Sequence, residues 1–306
     1  MAKVFTIIVT YNGMKWIDQC LKSVVNQSEV VVVDNNSSDE TVNYIKENFT
    51  SVNILPQTIN HGFGVANNIG INYALKNGAD AVFLLNQDAF AQTDCVKNLI
   101  IASQQNQDYG ILSPIHLNDD GSGVDYSFLN VTCPFHTSDL ISDLIVRNFK
   151  KTIYEISFIN AAAWLIPKEV FYKVGGFDPL FFLYGEDDNY CQRILYHGFK
   201  IGIIPNATIY HDSNNSNYQI GEAGSEKYFR QFVNNVNVKY ANVNTMNYKQ
   251  VNMFRYYILK MAFLNLISFK RAKAKLLFDK YKRVEVDSIQ KSVIINKKKG
   301  SHYLEI

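Results

Sequence analysis

The first half of the chain alternates short apolar runs with amphipathic segments. Runs rich in Val, Ile and Leu predict buried strands, which we place at residues 3–9, 29–34, 52–55 and 81–86. Helical spacing between these runs predicts helices over residues 13–25 and 64–77, and a further helix that starts from Ser37 or Ser38 as its N-cap. Strands that are apolar throughout and separated by helices are typical of a parallel sheet covered on both faces. The predicted fold class is therefore α/β.

Polar side chains follow three of the predicted strands at the point where each strand ends. They form three clusters: Thr10, Tyr11 and Asn12; Asp34, Asn35 and Asn36; and Asn86, Gln87 and Asp88. Ligands of open α/β sheets bind beyond the carboxyl ends of the strands, so we expect all three clusters to line one crevice. The first strand is followed by neither G-x-G-x-x-G nor G-x-x-x-x-G-K-[ST], which argues against a dinucleotide-binding protein and a P-loop protein.

The composition favours a globular protein of a reducing compartment. Of the 306 residues, 47% are hydrophobic and 19% are charged, which is enough to bury a large core. The four cysteines lie far apart with no C-x-x-C pair, so neither a zinc site nor a disulfide framework is predicted. The apolar run near the start is too short for a signal sequence, and we interpret it as the first strand. These features predict a cytoplasmic location.

The last part of the chain is basic. Residues 255–306 hold 13 Lys and Arg against 4 Asp and Glu, whereas the preceding residues hold 17 against 24. An apolar segment at 256–269 leads into a basic amphipathic one at 270–283, a pattern that suits peripheral contact with an anionic membrane. The alternative is a pair of helices packed on the main domain with a solvated basic face. Nucleic acid is not predicted as a partner, because no binding motif accompanies the charge.

Three adjacent acids stand at a predicted helix start. Glu186, Asp187 and Asp188 follow Gly185 directly. Apolar residues then recur at helical spacing up to a terminator at Gly198. The helix macrodipole favours negative charge at this end, so we expect the acids to be ionised. Helix capping is the alternative role, but three adjacent like charges exceed what capping needs.

Five segments, in this order, carry a specific resemblance. They read TIIVTYN, VVVDNNSSDET, NHGFGVANNIGINYAL, LLNQDA and GGFDPLFFLYGEDDNYCQRILYHGFKI, and they fall within residues 4–202. Together they resemble the family 2 inverting glycosyltransferases of the GT-A fold, particularly the bacterial rhamnosyltransferase-like branch. The resemblance implies a Rossmann-like, mostly parallel central sheet with helices on both faces. It also implies transfer of a sugar from a nucleotide-diphosphate donor to a hydroxyl, with inversion at the anomeric carbon and with Mn²⁺ or Mg²⁺.

On this basis we divide the chain at residue 215. Residues 1–215 form the predicted catalytic domain, with a nucleotide-sugar half up to about residue 110 and an acceptor half from about residue 111. Residues 216–306 form a helical, basic extension. The expected donor is a UDP- or dTDP-sugar, and the expected acceptor is a glycan or a lipid-linked saccharide. The expected role is synthesis of a bacterial surface polysaccharide such as a capsule.

The resemblance places the donor at the strand ends. Thr10, Tyr11 and Asn12 correspond to the segment that holds the nucleotide, and the Tyr11 ring can face the base. Asn35 stands where the family often has the acidic partner of the base, and its amide oxygen can accept the same N–H. Asp34 beside it is a donor-binding residue or, alternatively, a turn residue. The other residues assigned to the donor are Asn68, Asn86 and Gln87.

The D-x-D metal motif of the family corresponds to Asn86, Gln87 and Asp88. Asp88 is the predicted metal ligand, with phosphate oxygens and water in the remaining positions, and Asn86 would bond the ribose. Relatives often place a histidine after the strand downstream of the acidic motif, which matches His211. An imidazole ligand shifts the preference from Mg²⁺ toward Mn²⁺. The cation would stabilise the charge of the leaving diphosphate.

The acidic motif supplies the predicted general base. Asp187 matches the aspartate that takes the proton of the acceptor hydroxyl, and Glu186 would position the acceptor or the helix end. The acceptor side is assigned Asp188, Tyr184 and Trp164. Tyr184 lies nearest the acids within an aromatic run. Trp164 belongs to the segment that lies under the donor sugar in relatives.

Two other classes of protein remain open. A sugar nucleotidyltransferase shares the sheet and the need for metal, but its Gly-rich triphosphate loop is missing after the first strand. A catalytically inactive carbohydrate-binding or scaffold relative would keep the fold and lose the acids. Asp88 and Asp187 are both retained, so the enzyme is the favoured hypothesis.

Overall fold

The computed structural model of the protein describes residues 2–213, 221–245 and 247–306. Within these residues, nine strands form one sheet that is flanked by twelve α-helices. The strands are β1 (Val4–Thr10), β2 (Glu29–Asp34), β3 (Asn53–Pro56), β4 (Ala81–Asn86), β5 (Ala89–Ala91), β6 (Tyr109–Asn118), β7 (Tyr154–Ile156), β8 (Ala163–Pro167) and β9 (Lys200–His211). The helices are α1 (Ile17–Val24), α2 (Thr41–Asn48), α3 (Phe63–Lys76), α4 (Cys95–Gln105), α5 (Tyr126–Val131), α6 (Pro134–Ile145), α7 (Lys168–Val174), α8 (Glu186–Tyr196), α9 (Glu226–Tyr240), α10 (Val251–Ile267), α11 (Arg271–Arg283) and α12 (Val286–Asn296).

The sheet is parallel in its first half and mixed in its second half. Its order is β3-β2-β1-β4-β8-β6-β9-β5, and β7 pairs with β9. Strands β3, β2, β1 and β4 run parallel to one another. Strand β8 is antiparallel to both β4 and β6, whereas β6 and β9 are parallel. The parallel arrangement is thus confirmed for the four strands on which the prediction depended.

Alternate residues of β1 enter two separate cores, because successive side chains of a strand point to opposite faces. Ile7 packs in one core together with Ile71 of α3. Ile8 packs in the other core together with Leu21 of α1. Helices therefore cover both faces of the sheet, as predicted.

Helix α2 begins later than the sequence predicts. Its first residue is Thr41, and neither Ser37 nor Ser38 caps it. The backbone N–H of Asn12 donates to Ser37 Oγ (2.9 Å), and the backbone N–H of Ser38 donates to Asn12 Oδ1 (2.8 Å). The predicted N-cap is wrong because these two serines connect the ends of β1 and β2 instead.

The C-terminal helices pack against the segment that leads to the acids. Helices α9, α10 and α12 contribute to a third core together with Phe181. Buried Asp178 accepts hydrogen bonds from Ser292 Oγ and Asn296 Nδ2 of α12, both at 2.6 Å, and from Tyr303 Oη at 3.2 Å. The helical character predicted for this part is confirmed, while the predicted domain boundary lies outside the described residues. None of the helices in the described part is long and apolar enough to cross a bilayer.

Candidate active site

The carboxyl ends of β1, β2 and β4 lie side by side, which brings the three predicted polar clusters together, and we call the region beyond these ends the crevice. Gln87 Oε1 accepts hydrogen bonds from Thr10 Oγ1 (2.7 Å) and from the backbone N–H of Tyr11 (3.0 Å). Asn12 is bonded to the turn after β2 through the two serines described above. The Tyr11 side chain is 48% exposed and is available to a base, whereas Thr10 is fully buried. Thr10 therefore acts on the crevice only through Gln87 and the backbone.

At the end of β2, Asp34 has a carboxylate oxygen without a partner among the described residues, whereas the amide of Asn35 is already hydrogen-bonded. Asn35 Nδ2 donates to Asn60 Oδ1 (2.9 Å) and to the Gly62 carbonyl (3.2 Å). Its Oδ1 accepts from the backbone N–H of His61 (2.8 Å), and the side chain is buried. Asn35 therefore fastens this loop, and its predicted contact with the base would have to use the second lone pair of an oxygen that is already hydrogen-bonded. Asp34 Oδ1 is buried without a hydrogen-bond partner in the described part of the chain, which makes Asp34 the better candidate.

Asn68 is occupied in a similar way. Its Nδ2 donates to the Phe177 carbonyl (2.8 Å), and its Oδ1 accepts from the Phe177 N–H (2.7 Å). A Cβ at Gly176 would lie 2.4 Å from Asn68 Oδ1, so the close approach requires glycine there. This buried amide clamps the segment before the acids onto α3, and the donor contact of Asn68 stays a prediction.

Strands β5 and β9 bring the two predicted metal ligands together. Ala89 pairs with His211, and the backbone N–H of Asp212 donates to the Asp88 carbonyl (2.9 Å). The Nε2 atom of His211 lies 3.6 Å from Oδ1 of Asp88. Ligand atoms held at roughly 2.1 Å from one cation lie roughly 3–3.5 Å apart, so the pair is close to the required spacing. Asp88 is partly exposed, which leaves room for further oxygen ligands.

Asp125 completes this group, and sequence reasoning missed it. Its Oδ2 lies 3.5 Å from Nδ1 of His211 and accepts from Ser213 Oγ (2.5 Å). Its Oδ1 accepts from the Phe128 N–H (2.8 Å) and thereby caps α5. A carboxylate behind a histidine ligand fixes the orientation of the ring and the nitrogen that faces the metal. The signal in the sequence was only an Asp at a helix start within a turn-rich segment.

Hydrogen bonding shifts the pKa values of His211 and Asp125 in the directions that favour their charged forms. Burial opposes charge on His211, but hydrogen bonds to Asp125 and Asp88 raise its pKa to about 9. Burial also acts against the Asp125 charge, yet hydrogen bonds from His211 and Ser213 lower its pKa to about 2. Because a cation that binds His211 must displace a proton from the ring, the affinity of this site for the cation is expected to rise with pH up to about 9.

A second arrangement with metal-ligand chemistry lies behind this pair. Within the described residues, ligand atoms of His116, Asp125 and His211 all lie within 4.8 Å of one another. His116 is buried, its Nε2 lies 3.1 Å from Ser113 Oγ, and burial together with the His211 charge lowers its pKa to about 3. Buried His116 and Asp125 offer no access to a diphosphate. A cation that also contacts the donor therefore fits Asp88 and His211.

The three acids occupy the first turn of α8, as predicted. Burial raises the pKa of Glu186 to about 8, and the Asp187 charge adds to the shift. Burial likewise raises the pKa of Asp187, and burial together with the Asp187 charge raises that of Asp188 to about 6. The expectation that the macrodipole keeps all three ionised is wrong for Glu186, because desolvation outweighs the dipole there.

A short stretch of backbone joins the acids to the metal-ligand pair. Asn86, two residues before Asp88, donates its backbone N–H to the Ala162 carbonyl (2.9 Å). The backbone of the adjacent Ala161 hydrogen-bonds the Asp187 carboxylate. Asp187 therefore lies at the same end of the sheet as the residues that follow β4.

The residues assigned to the acceptor differ in exposure. Trp164 has no exposed surface and packs against the stacked pair of Phe177 and Tyr190, with ring centroids 6.3 and 6.1 Å away. Its predicted acceptor contact is wrong because this position of β8 points into the core. Tyr184 is 63% exposed and has φ of 70°, which is uncommon for a residue other than glycine. Tyr184 and the partly exposed Asp188 stay predicted acceptor contacts.

Several buried polar atoms at the crevice have no hydrogen-bond partner among the described residues. They include Asp34 Oδ1, Asn86 Oδ1 and Glu186 Oε2. Folded proteins leave few such atoms unpaired, because a buried polar group without a partner is costly. These three atoms therefore mark positions where ligand or water is expected.

Replacing Glu186 by glutamine is expected to change how stability depends on pH. The pKa of Glu186 is about 8 in the folded protein, against an ordinary value of 4.5. Between these two values the folded state binds more protons than the unfolded state, so the free energy of unfolding falls as pH rises. Glu186→Gln should remove this contribution, which lowers the free energy of unfolding by up to roughly 1.4 kcal/mol per pH unit. The free energy is measured by urea unfolding between pH 4.5 and about 8.

The matched control for this experiment is Glu47→Gln, because Glu47 is an exposed helical glutamate. Its pH profile should follow that of the wild type. Parallel profiles for wild type and Glu186→Gln would show that Glu186 does not hold its proton.

Comparison with known proteins identifies the family. A family model described as glycosyl transferase family 2 matches residues 6–175, and one described as N-terminal domain of galactosyltransferase matches residues 147–214. The first match covers more than half of the chain. The chain therefore belongs to glycosyl transferase family 2, a family of glycosyltransferases, and the family predicted from its motifs is confirmed.

Individual relatives are distant. The chain is 26% identical over 211 residues to the dTDP-rhamnosyl transferase RfbF of Shigella flexneri, covering 69% of each protein. It is 27% identical over 197 residues to the low-salt glycan biosynthesis hexosyltransferase Agl10 of Haloferax volcanii, covering 64% of this chain and 62% of the relative. The crystal structure of GalNAc-T7 with UDP, GalNAc and Mn²⁺ superimposes with a TM-score of 0.56 at 16% identity, over 77% of this chain and 48% of that one. This likeness confirms the predicted GT-A fold.

Proposed function

We propose that this glycosyltransferase moves rhamnose or another hexose from a UDP- or dTDP-sugar to a hydroxyl of a glycan or lipid-linked saccharide, with inversion. The observation that carries the proposal is the Asp88–His211 pair, 3.6 Å apart, at the end of the sheet that also holds Asp187. The names of two relatives, a dTDP-rhamnosyl transferase and a hexosyltransferase, support the sugar. The UDP bound to GalNAc-T7 supports a nucleotide-diphosphate donor.

Inversion follows from a single displacement. The acceptor oxygen bonds to the anomeric carbon while the bond from that carbon to the diphosphate breaks, and Asp187 takes the acceptor proton. Burial raises the pKa of Asp187, which makes it a stronger base than an ordinary carboxylate. Burial raises the pKa of Glu186 to about 8, so it holds its proton at neutral pH and is a poorer base than Asp187. Asp188 and Tyr184 are the proposed acceptor contacts.

The residues at the crevice fit a divalent cation. Asp88 and His211 would hold it, and Asp125 keeps the ring of His211 turned toward Asp88. A mixed nitrogen and oxygen ligand set favours Mn²⁺ over Mg²⁺, and GalNAc-T7 binds Mn²⁺. When bound, the cation supplies positive charge to the leaving diphosphate.

The donor side is proposed to use groups that remain free. Tyr11 offers its exposed ring to the base, Asp34 Oδ1 accepts a base N–H, and Asn86 Oδ1 accepts from a ribose hydroxyl. Gln87 and Asn12 hold these elements together through the hydrogen bonds at the strand ends. We place the reaction on the cytoplasmic side of a membrane, in the synthesis of a bacterial surface polysaccharide such as a capsule, with the C-terminal helices as peripheral contact.

A nucleotide-release assay tests the proposal. The protein is incubated with UDP- and dTDP-sugars, with and without EDTA, and the products are identified. We expect release of the nucleoside diphosphate that EDTA abolishes. Release of pyrophosphate would instead identify a sugar nucleotidyltransferase, and the absence of any product with a panel of donors would favour an inactive scaffold.

A further inference from the structure

Helices α10 and α11 form an antiparallel hairpin with an exposed apolar stripe. The rings of Phe263 and Phe278 lie 5.3 Å apart across it, and the Arg255 guanidinium lies 4.5 Å from the Tyr281 ring near its open end. Large apolar side chains are exposed along α10 at helical spacing and at the turn. They are Met253, Tyr256, Tyr257, Phe263, Ile267 and Phe269, with Ile267 74% and Phe269 84% exposed. The opposite face of α10 is buried at Ile258 and Ala262.

The turn of this hairpin, which we call the tip, carries unpaired positive charge. Its basic side chains are exposed, and in the described part of the chain none of them forms an ion pair: Lys270, Arg271, Lys273 and Lys275. Asp279 is the only acidic residue between positions 251 and 283. At the other end of α11 the charges are used internally, since Arg283 pairs with Glu226 at 2.8 Å and Lys280 lies over the Tyr228 ring.

We infer that the tip and the apolar stripe of α10 lie on an anionic phospholipid bilayer. Apolar side chains enter the boundary between headgroups and acyl chains, while the lysines and the arginine contact phosphate groups. The stripe runs from Met253 to Ile267, which is roughly 21 Å of helix at about 1.5 Å per residue. It lies along the membrane surface and does not cross it. A second copy of the chain is a poorer partner, because a two-fold contact would place the same basic tip against itself.

The hairpin is connected to the acceptor side of the active site. Helix α9 bonds α11 through Glu226 and Arg283, and Asn234 Nδ2 of α9 donates to the Leu183 carbonyl (2.7 Å), next to Tyr184. Membrane contact of the hairpin is therefore linked, through α9, to the segment that carries the acidic motif. The link from this contact to catalysis rests on the proposed function, in which the acceptor is carried on a lipid. Vesicle binding itself needs neither donor nor metal, so the two proposals can fail separately.

Vesicle flotation tests the inference. The full-length protein is mixed with phosphatidylcholine vesicles, with and without phosphatidylglycerol. We expect binding to the anionic vesicles that weakens as salt is added, and little binding to the neutral ones. Ile267→Ser with Phe269→Ser, and separately Lys270→Glu with Lys273→Glu, should each lower the partition coefficient at least about tenfold. No vesicle binding by the wild type, or equal binding to both vesicle types, would overturn the inference.

Matched substitutions elsewhere serve as controls. Ile294→Ser changes a residue of α12 that is 56% exposed, and Lys298→Glu with Lys299→Glu reverses two exposed charges outside the hairpin. These controls should bind vesicles as the wild type does. Tip variants that bind as well as the controls would contradict the assignment of the tip. All the altered side chains are exposed, so we expect every variant to unfold at a temperature close to that of the wild type. Such a result excludes misfolding as the cause of lost binding.

A fluorescence measurement separates insertion from simple attraction of charges. Tryptophan emission of Ile267→Trp should shift to the blue on anionic vesicles, while that of Ile294→Trp should not. Equal shifts would contradict insertion at the tip. Sedimentation velocity tests the alternative that a second copy of the chain binds this surface. If the wild type does not bind vesicles but forms a dimer, and the tip variants are monomeric, the surface is a dimer interface.

Discussion

Asp187→Asn is expected to lower turnover by at least about 100-fold while donor binding stays close to that of the wild type, since general-base catalysis typically contributes this much. The asparagine has the same size, and its oxygen can keep the hydrogen bond from the Ala161 backbone. It cannot accept a proton from the acceptor hydroxyl. The loss should therefore appear in kcat, measured by nucleoside-diphosphate release, and not in the dissociation constant of the donor.

The neighbouring acids supply the controls for this experiment. Asp188→Asn changes a partly exposed carboxylate in the same turn, and Glu186→Gln changes a carboxyl group that is protonated below a pH of about 8. Neither should reproduce the loss at Asp187 if only Asp187 acts as the base. Near wild-type turnover in Asp187→Asn, with a large loss in either neighbour, would move the role to that neighbour.

The first half of the fold could be predicted because its information is local. Strands β2 and β4 have uninterrupted apolar interiors, and their predicted bounds of 29–34 and 81–86 agree with the structure. The second half has no such regularity. Strand β5 is three residues long and pairs with β9, more than 100 residues away. Such pairings depend on contacts across the sheet, which short segments do not encode.

The candidate site shows the same division. Asp88, His211 and Asp187 follow strand ends or begin a helix, and those positions can be read from the pattern. The predicted contact of Trp164 is wrong because its ring is buried in the core, whereas the amides of Asn35 and Asn68 already hydrogen-bond backbone groups. Residue type and position along a strand do not show which way an amide is already bonded. Motifs locate a site more reliably than they assign its contacts.

Asp125 was missed for a related reason. It lies between positions 116 and 155, where turns hide any periodic signal, and it reaches His211 only through the pairing of β6 with β9. Its backbone N–H bonds the His116 carbonyl (3.0 Å) at the same place. A positioning residue of this kind becomes visible only when the strand that carries its partner has been placed.

Asp88→Ala is expected to have the second large effect, on metal and donor together. Substitutions behind a metal ligand typically cost about 10–100-fold in affinity, so Asp125→Asn should weaken Mn²⁺ binding within that range. Asp88→Ala removes a ligand outright and should cost more than Asp125→Asn. Mn²⁺ is titrated in the presence of UDP and followed by electron paramagnetic resonance, with the exposed Asp119→Asn as the control.

The order of Asp88→Ala and Asp125→Asn in Mn²⁺ affinity decides between the two metal arrangements. If the cation lies between Asp88 and His211, Asp88→Ala should bind Mn²⁺ more weakly than Asp125→Asn, and donor binding without metal should be unchanged in both. If the cation lay in the inner group of His116, Asp125 and His211, the order would reverse, because Asp125 would then be a direct ligand. An Asp88→Ala titration that matches the wild type would remove Asp88 from the site. The 3.6 Å separation of Asp88 and His211, with Asp88 partly exposed, favours the first order, since only that pair can share its cation with a diphosphate.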